Sequence, residues 1–164
     1  MDLATFNAAP APEVTGQLLA CCDVTAWAEA VLAGRPYDTV DDLSATADRA
    51  ARRLGPADVD RALAAHPRIG DRAGGPATDA AWSREEQSGV ATDSRTRTAL
   101  QDGNRAYEER FGRVFLICAT GLDAEQILGA LRTRLGHDDA TEAAVVADEL
   151  RKIALLRLRK AVEP

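Results

Sequence analysis

His66 is the first residue in this sequence whose setting suits chemistry, although a lone histidine is more often a structural residue than a catalytic one. It precedes Pro67 at the end of a helical stretch and opens a segment carrying Gly70, Gly74, Gly75 and Pro76. Proline disfavours helical geometry in the residue before it, so the imidazole is presented at the edge of an element. A histidine titrates near neutral pH, the range a general acid-base needs. Arg157 is the second. Val146, Leu150 and Ile153 mark the apolar face of the last helix, and the next position on that face is Arg157. An inward arginine cannot shed its charge and needs an anionic or carbonyl partner. It is either a snorkelling or salt-bridged residue near a helix end, or a guanidinium that grips a ligand. The third feature is Ser83-Arg84-Glu85-Glu86-Gln87. A hydroxyl followed three residues later by glutamate has the capping-box pattern, which explains Ser83 and Glu86 without a ligand. A helix start also presents unpaired backbone N–H groups that can hold a carbonyl or carboxylate. The spacing does not separate the two readings.

Other chemistries lack support. His137, in Gly136-His137-Asp138, has no comparable setting and reads as a surface residue. With two histidines and neither HExxH nor paired CxxC, a metal site is not expected. The absence of GxSxG, P-loop and GxGxxG motifs argues against nucleophile-elbow hydrolases and nucleotide-binding enzymes. Net charge is −6 and basic residues are interleaved with acidic ones, so no nucleic-acid partner is expected. Cys21 and Cys22 are adjacent and Cys118 is remote; the odd count and lack of spacing pattern point to a reducing compartment, with unbridged thiols filling core. Met1-Asp2-Leu3-Ala4 carries no basic region leading into an apolar stretch, no window approaches eighteen apolar residues, and Ala161 to Pro164 is no peroxisomal signal. A cytoplasmic protein without a membrane partner is the expectation.

The elements that must position these residues read as helices. The 164 residues suffice for one domain that buries roughly 70% of its unfolded surface. Aromatics are only 4%, and alanine, leucine, arginine and glutamate dominate, so the expected class is all-α, a single domain over residues 1–164. Val14, Leu18 and Leu19 mark a first short helix after Pro10 and Pro12. Asp23 is placed to cap a second over 24–33, stopped by Gly34, with Arg35-Pro36-Tyr37 as the turn. Thr39 or Asp41 begins a third, to Leu54, and Pro56 opens a fourth, to about Ala65. The stretch from His66 to Trp82 is the longest irregular one, a setting more often functional than idle, and Ser83 is expected to start the next helix, which Gly89 shortens or interrupts. Leu100, Asn104, Tyr107 and Phe111 share one face of a helix from about Asp93 that Gly112 closes. The run 114–119 is buried and apolar but too short to assign as strand or helix. Asp123 caps a helix over 124–135, and Asp139 with Glu142 forms a capping pair before a last helix to about Lys160.

Taken together, these segments resemble the OHCU decarboxylase family, which converts 2-oxo-4-hydroxy-4-carboxy-5-ureidoimidazoline (OHCU) to (S)-allantoin in urate breakdown. The resemblance rests on Arg35-Pro36-Tyr37, His66-Pro67-Arg68-Ile69-Gly70, residues 82–89, Asn104 to Tyr107 running into Arg110-Phe111-Gly112, Phe115-Leu116-Ile117, and Lys152-Ile153 through Arg157-Leu158. These keep the family's order over nearly the whole chain. One departure is His137, where members often carry asparagine before the aspartate. The resemblance implies an all-helical homodimer without metal or organic cofactor. It implies His66, Glu86 and Arg157 as catalytic residues, and a substrate lined by Pro67, Ser83, Arg84, Glu85, Glu86, Gln87, Phe115, Leu116, Ile117, Cys118, Ala119 and Arg157.

The implied chemistry suits these residue types. Loss of CO2 leaves electrons on a carbon flanked by a carbonyl and ring nitrogens, so the substrate supplies its own electron sink. The protein must stabilise a developing enolate-like oxygen and deliver one proton to one face. Two rivals stand beside it: a helical binding module, which explains the helices and the charge but not the placement of His66, Ser83 to Gln87 and Arg157, and a cofactor-free hydrolase or isomerase of another ureido or imidazole compound, which uses the same groups.

Overall fold

The computed structural model describes residues 1–70, 78–88 and 93–163. Gly74, Gly75, Pro76 and Gly89, on which part of the loop reading rests, lie outside them. The helices are α1 (Leu3–Ala8), α2 (Ala11–Cys21), α3 (Thr25–Ala33), α4 (Val40–Ala51), α5 (Pro56–Leu63), α6 (Thr78–Glu86), α7 (Ser94–Phe111), α8 (Ala124–Leu135) and α9 (Asp139–Val162). Among the described residues there is no strand, in accord with the all-α expectation. The chain divides into two compact units: Met1–Ala62 with the segment from Leu150 onward, and Leu63–Glu149.

In the first unit α2 packs on α3 and α3 on α4. Leu18, Trp27, Val31, Leu43, Leu150 and Leu158 are fully buried there, each contributing roughly 1.5–3 kcal/mol of transfer free energy. The Trp27 indole Nε1 donates to the Ala47 carbonyl at 3.1 Å, so the buried ring leaves no orphaned donor. Helix α1 was not anticipated. Six residues are too few to show a period or to hold themselves helical, and tertiary contacts fix them instead. Arg35 Nη1 donates to the Phe6 and Ala9 carbonyls at 2.8 and 2.9 Å, and Asn7 exchanges two hydrogen bonds with the Tyr37 backbone. Arg35-Pro36-Tyr37 is therefore a tie as well as a turn. Helix α3 begins one residue later than read, with Val24 rather than Asp23 at its cap and no side-chain cap bond. Helix α4, capped by Thr39, stops at Ala51; Arg52 still bonds the Asp48 carbonyl, and Arg53 and Leu54 then unwind through bonds to the third residue back instead of continuing the helix to Leu54.

In the second unit α7 packs against α8 around Leu100, Tyr107, Phe115, Ile127 and Leu131, with Ile69 joining the cluster. The helices approach closely at Gly103, where a Cβ would fall 2.0 Å from the Leu131 Cδ2 methyl. Asp93 caps α7, and Gly112 ends it in the left-handed region, φ 65°. Asp123 and Gln126 form a reciprocal capping box on α8.

Two capping assignments change. Helix α6 begins at Thr78, so Ser83 lies inside the helix and caps nothing. The cap of α9 is Asp138, whose Oδ1 accepts from the Thr141 N–H at 2.7 Å. Asp139 is already helical, and Glu142 turns inward. Each misreading has the same cause: a spacing of three is both the capping interval and the interval of neighbours on one helical face.

Candidate active site

His66 follows α5 in a turn closed by its own N–H on the Leu63 carbonyl, 3.0 Å. The side chain is half-buried and Nε2 is shielded from solvent. The residues after it are pinned one by one. Arg68 forms a two-point ion pair with Glu108 of α7, at 2.5 and 2.8 Å. Asn104 Nδ2 donates to the Ile69 carbonyl at 2.9 Å, which explains the polar residue on the inward face of α7. The Gly70 N–H donates to Gln87 Oε1 at 2.9 Å, at a φ of 90° that glycine alone adopts readily. The Arg68 hydrogen bonds hold the Glu108 carboxyl below the usual range, more than offsetting its partial burial. A cleft of about 330 Å³ lined by Arg68, Gln101, Asn104, Arg105 and Glu108 borders this loop; none of the residues that the resemblance assigns to catalysis or substrate binding lines it.

Ser83 and Glu86 are buried, three residues apart on one face of α6, while Arg84 and Glu85 point to the exposed face. Gln87, just past the helix, joins this face to the His66 loop through its bond to Gly70. Burying a carboxylate and a hydroxyl together on one helix face is costly unless each is satisfied, and an N-terminal capping box accounts for neither.

The run 115–119 is neither helix nor strand. Phe115, Leu116, Ile117 and Ala119 are buried and Cys118 is half-buried. Side chains from elsewhere in the unit hold its backbone. Arg134, 5% exposed, donates from Nη1 to the Leu116 carbonyl at 2.6 Å, and Glu149 Oε2 accepts from the Cys118 N–H at 2.8 Å. Arg134 also pairs with Glu142 Oε1 through Nε and Nη2 at 2.8 and 2.6 Å, and its guanidinium lies 4.6 Å from the Phe115 ring centroid. The Tyr107 hydroxyl donates to the same carboxylate oxygen, and His137 Nδ1 lies 2.9 Å from the other. Burial pushes the Glu142 carboxyl up, but the bonds from Arg134, Tyr107 and His137 outweigh it and hold the group below its ordinary range. Burial and the carboxylate push the Tyr107 phenol up, so it stays a donor. His137 is thus a half-buried member of this cluster, not the surface residue its sequence setting suggested.

Arg157 belongs to the first unit. It is 2% exposed, as its place on the apolar face of α9 predicts, and its Nη1 is 3.5 Å from the Ala20 carbonyl. Nearby Cys22 has its thiol pushed up to about 12 by burial and by Asp23, with Arg157 acting in the opposite direction.

Residues 7–159 match the family model described as OHCU decarboxylase. A 2-oxo-4-hydroxy-4-carboxy-5-ureidoimidazoline decarboxylase of Haloferax volcanii is 34% identical over 134 residues, covering 80% of this chain and 77% of its own. The chain belongs to the OHCU decarboxylase family. It is a decarboxylase, which sets aside the binding module. An Amia calva enzyme of the same name is 31% identical over 154 residues, 92% of this chain and 87% of its own. The crystal structure of an OHCU decarboxylase in the presence of (S)-allantoin superposes with a TM-score of 0.76 at 26% identity, covering 90% of this chain and 98% of that one. His66, Pro67, Ser83, Glu86, Gln87 and 115–119 all belong to the second unit, where the Gly70–Gln87 bond links the His66 loop to the end of α6, and Arg157 belongs to the first. Sequence reasoning missed Arg134, Glu142 and Glu149. Ile127, Leu131 and Arg134 follow at intervals of four and three, the same inward spacing that singled out Arg157, so a signal for Arg134 was present.

Proposed function

We propose that this decarboxylase converts OHCU to (S)-allantoin in urate breakdown, with His66 as its general acid-base. The observation that carries the reading is the face of α6: Ser83 and Glu86 are buried together five and eight residues into a helix that starts at Thr78. Gln87 ties that face to the loop presenting His66. The bond from the hydroxyl-bearing ring carbon to its carboxylate breaks, CO2 leaves, and the electron pair forms a double bond to the ureido-bearing carbon, whose ring C=N takes up a proton at nitrogen. The hydroxyl then gives up its proton and becomes the ring carbonyl while His66 delivers a proton to one face of the ureido-bearing carbon, giving one enantiomer.

Arg157 acts on the carbonyl oxygen that gains charge, since only interactions that strengthen in the transition state accelerate the step. Glu86 accepts from the ureido and ring N–H groups, Ser83 adds a hydroxyl donor, and the Gln87 amide donates while its oxygen remains on Gly70. Pro67 and the 115–119 segment wall the substrate. Arg84 and Glu85, exposed on the same helix, complete the substrate-binding set that the resemblance implies. The substrate's own electron sink supports a reaction without metal or organic cofactor, and the resemblance supports a cytoplasmic homodimer. No helix among the described residues is long and apolar enough to cross a membrane.

The test is circular dichroism of allantoin accumulating from freshly generated OHCU. Optically active product at an accelerated rate is expected. Racemic product at the uncatalysed rate, or turnover only of another ureido compound, overturns the assignment.

A further inference from the structure

The 115–119 segment has no ladder or helix of its own, yet both peptide groups beside Ile117 are held. The carbonyl of the first, on Leu116, accepts from Arg134, and the N–H of the second, on Cys118, donates to Glu149. In a trans peptide the C=O and N–H point in opposite directions within one plane. Arg134 therefore turns the Ile117 N–H away from itself, and Glu149 does the same to the Ile117 carbonyl. One residue is left presenting a donor and an acceptor together, complementary to the N–H and C=O along one edge of a ureido or cyclic amide group.

Arg134 is itself held in register. Its two-point bond to Glu142 fixes the guanidinium plane, Tyr107 and His137 fix Glu142, and the Phe115 ring lies against the guanidinium. Glu142 is 1% exposed. A buried ion pair often stabilises a fold no better than apolar side chains of equal volume, so its contribution here is geometric. Charge-assisted bonds on a backbone carbonyl and a backbone N–H tolerate less displacement than neutral ones.

We propose that Arg134 and Glu149 are positioning residues for the decarboxylation, orienting the two peptide groups that flank Ile117 so that its N–H and C=O meet the substrate's polar edge. This rests on the reading that 115–119 lines the substrate. Neither side chain touches the reacting atoms; both act through the backbone.

The test compares Glu149→Ala, Glu149→Gln and Arg134→Lys with wild type, measuring kcat, KM, the enantiomeric excess of the allantoin formed, and Tm. Glu149→Ala is expected to lose at least tenfold in kcat with Tm within 5 °C of wild type, because misplaced contacts, not unfolding, are the cause. Glu149→Gln keeps an oxygen acceptor for Cys118 and is expected to stay within threefold. Arg134→Lys keeps the charge opposite Glu142 but loses the planar fork, and is expected to lower both kcat and enantiomeric excess; should it not fold, the Glu149 pair decides alone. Folded Glu149→Ala at the wild-type kcat overturns the inference, as does Glu149→Gln as slow as Glu149→Ala. If wild type itself leaves OHCU at its uncatalysed rate, the assigned function has failed; if wild type is active and Glu149→Ala matches it, only the positioning role has.

Discussion

The two histidines close their helices alike and are then held in different ways. His66 and His137 each donate a backbone N–H to the carbonyl three residues back, on Leu63 and Arg134, both at 3.0 Å. At His137 a carboxylate then grips the ring itself, 2.9 Å from Nδ1, and Arg110 Nη2 donates to the residue's carbonyl at 2.6 Å. At His66 the described anchors fall on the next residues: Arg68 on Glu108, Ile69 on Asn104 and Gly70 on Gln87. One imidazole is part of a buried ion cluster; beside the other, the backbone that follows it is anchored residue by residue.

The largest expected effect breaks the comparison at its centre. His66→Gln removes the proton donor and is expected to slow OHCU decarboxylation by about 10²–10⁴-fold, with Tm little changed. His137→Gln is expected to lower turnover by less than about tenfold while losing about 1 kcal/mol of stability, the scale of one hydrogen bond. Matched steady-state kinetics and thermal melts read both. Equal activity losses in the two variants would erase the distinction.

The next effect is on stability. Glu142→Ala leaves Arg134 buried without its carboxylate, and breaking a buried pair costs about 3–5 kcal/mol, or a drop in Tm of about 6–20 °C for a chain of this size. The sign with pH follows from the carboxyl being held below its ordinary 4.5 in the fold. Its stabilisation is fully present above that value and is lost as pH falls through the lower folded value. Denaturant titrations across this range should show wild type losing stability on acidification more steeply than Glu142→Gln. Parallel curves for the two would mean that the cluster does not hold the carboxylate charged.

What the sequence made legible depends on how far each signal reaches along the chain. Leu100, Asn104 and Tyr107 at four and three mark a face, Gly112 a left-handed stop and Asp123 a cap. Each is local, and each is where it was read. The interval of three between Ser83 and Glu86, or between Asp139 and Glu142, is equally local but has two physical meanings. Only tertiary placement separates them. Asp123 and Gln126 cap; Ser83 and Glu86 share a buried face; Glu142 points into a core where Arg134 and Tyr107 wait for it. Glu149 was beyond reach altogether: its partner is a backbone N–H 31 residues away, and no side-chain pattern announces a contact with backbone. The residues assigned to chemistry were legible where a helix face or a proline set them apart. The side chains that hold the surrounding backbone were not.

The smallest effect asks whether backbone aim at His66 matters at all. Gly70 has a φ of 90° and nothing within 4 Å of where a Cβ would sit. Alanine there pays no steric cost from neighbours, only the conformational cost of the left-handed region, about 1–2 kcal/mol. That strain acts on the peptide whose N–H bonds Gln87, so the loop relaxes toward negative φ and loosens its hold on α6. Gly136, the residue before His137, has a φ of −85°, open to any residue. Its Cβ would lie 3.3 Å from the Thr133 carbonyl oxygen, a tight approach but not a backbone misfit. Gly70→Ala is therefore expected to reduce kcat a few-fold for a loss of about 1 kcal/mol, and Gly136→Ala to leave turnover within about twofold. Kinetics on the two alanine variants at matched folded fraction decide it. If Gly70→Ala turns over as fast as Gly136→Ala, then the imidazole of His66 is oriented by its own side-chain contacts, and the contrast between the two histidines reduces to which partner each ring has.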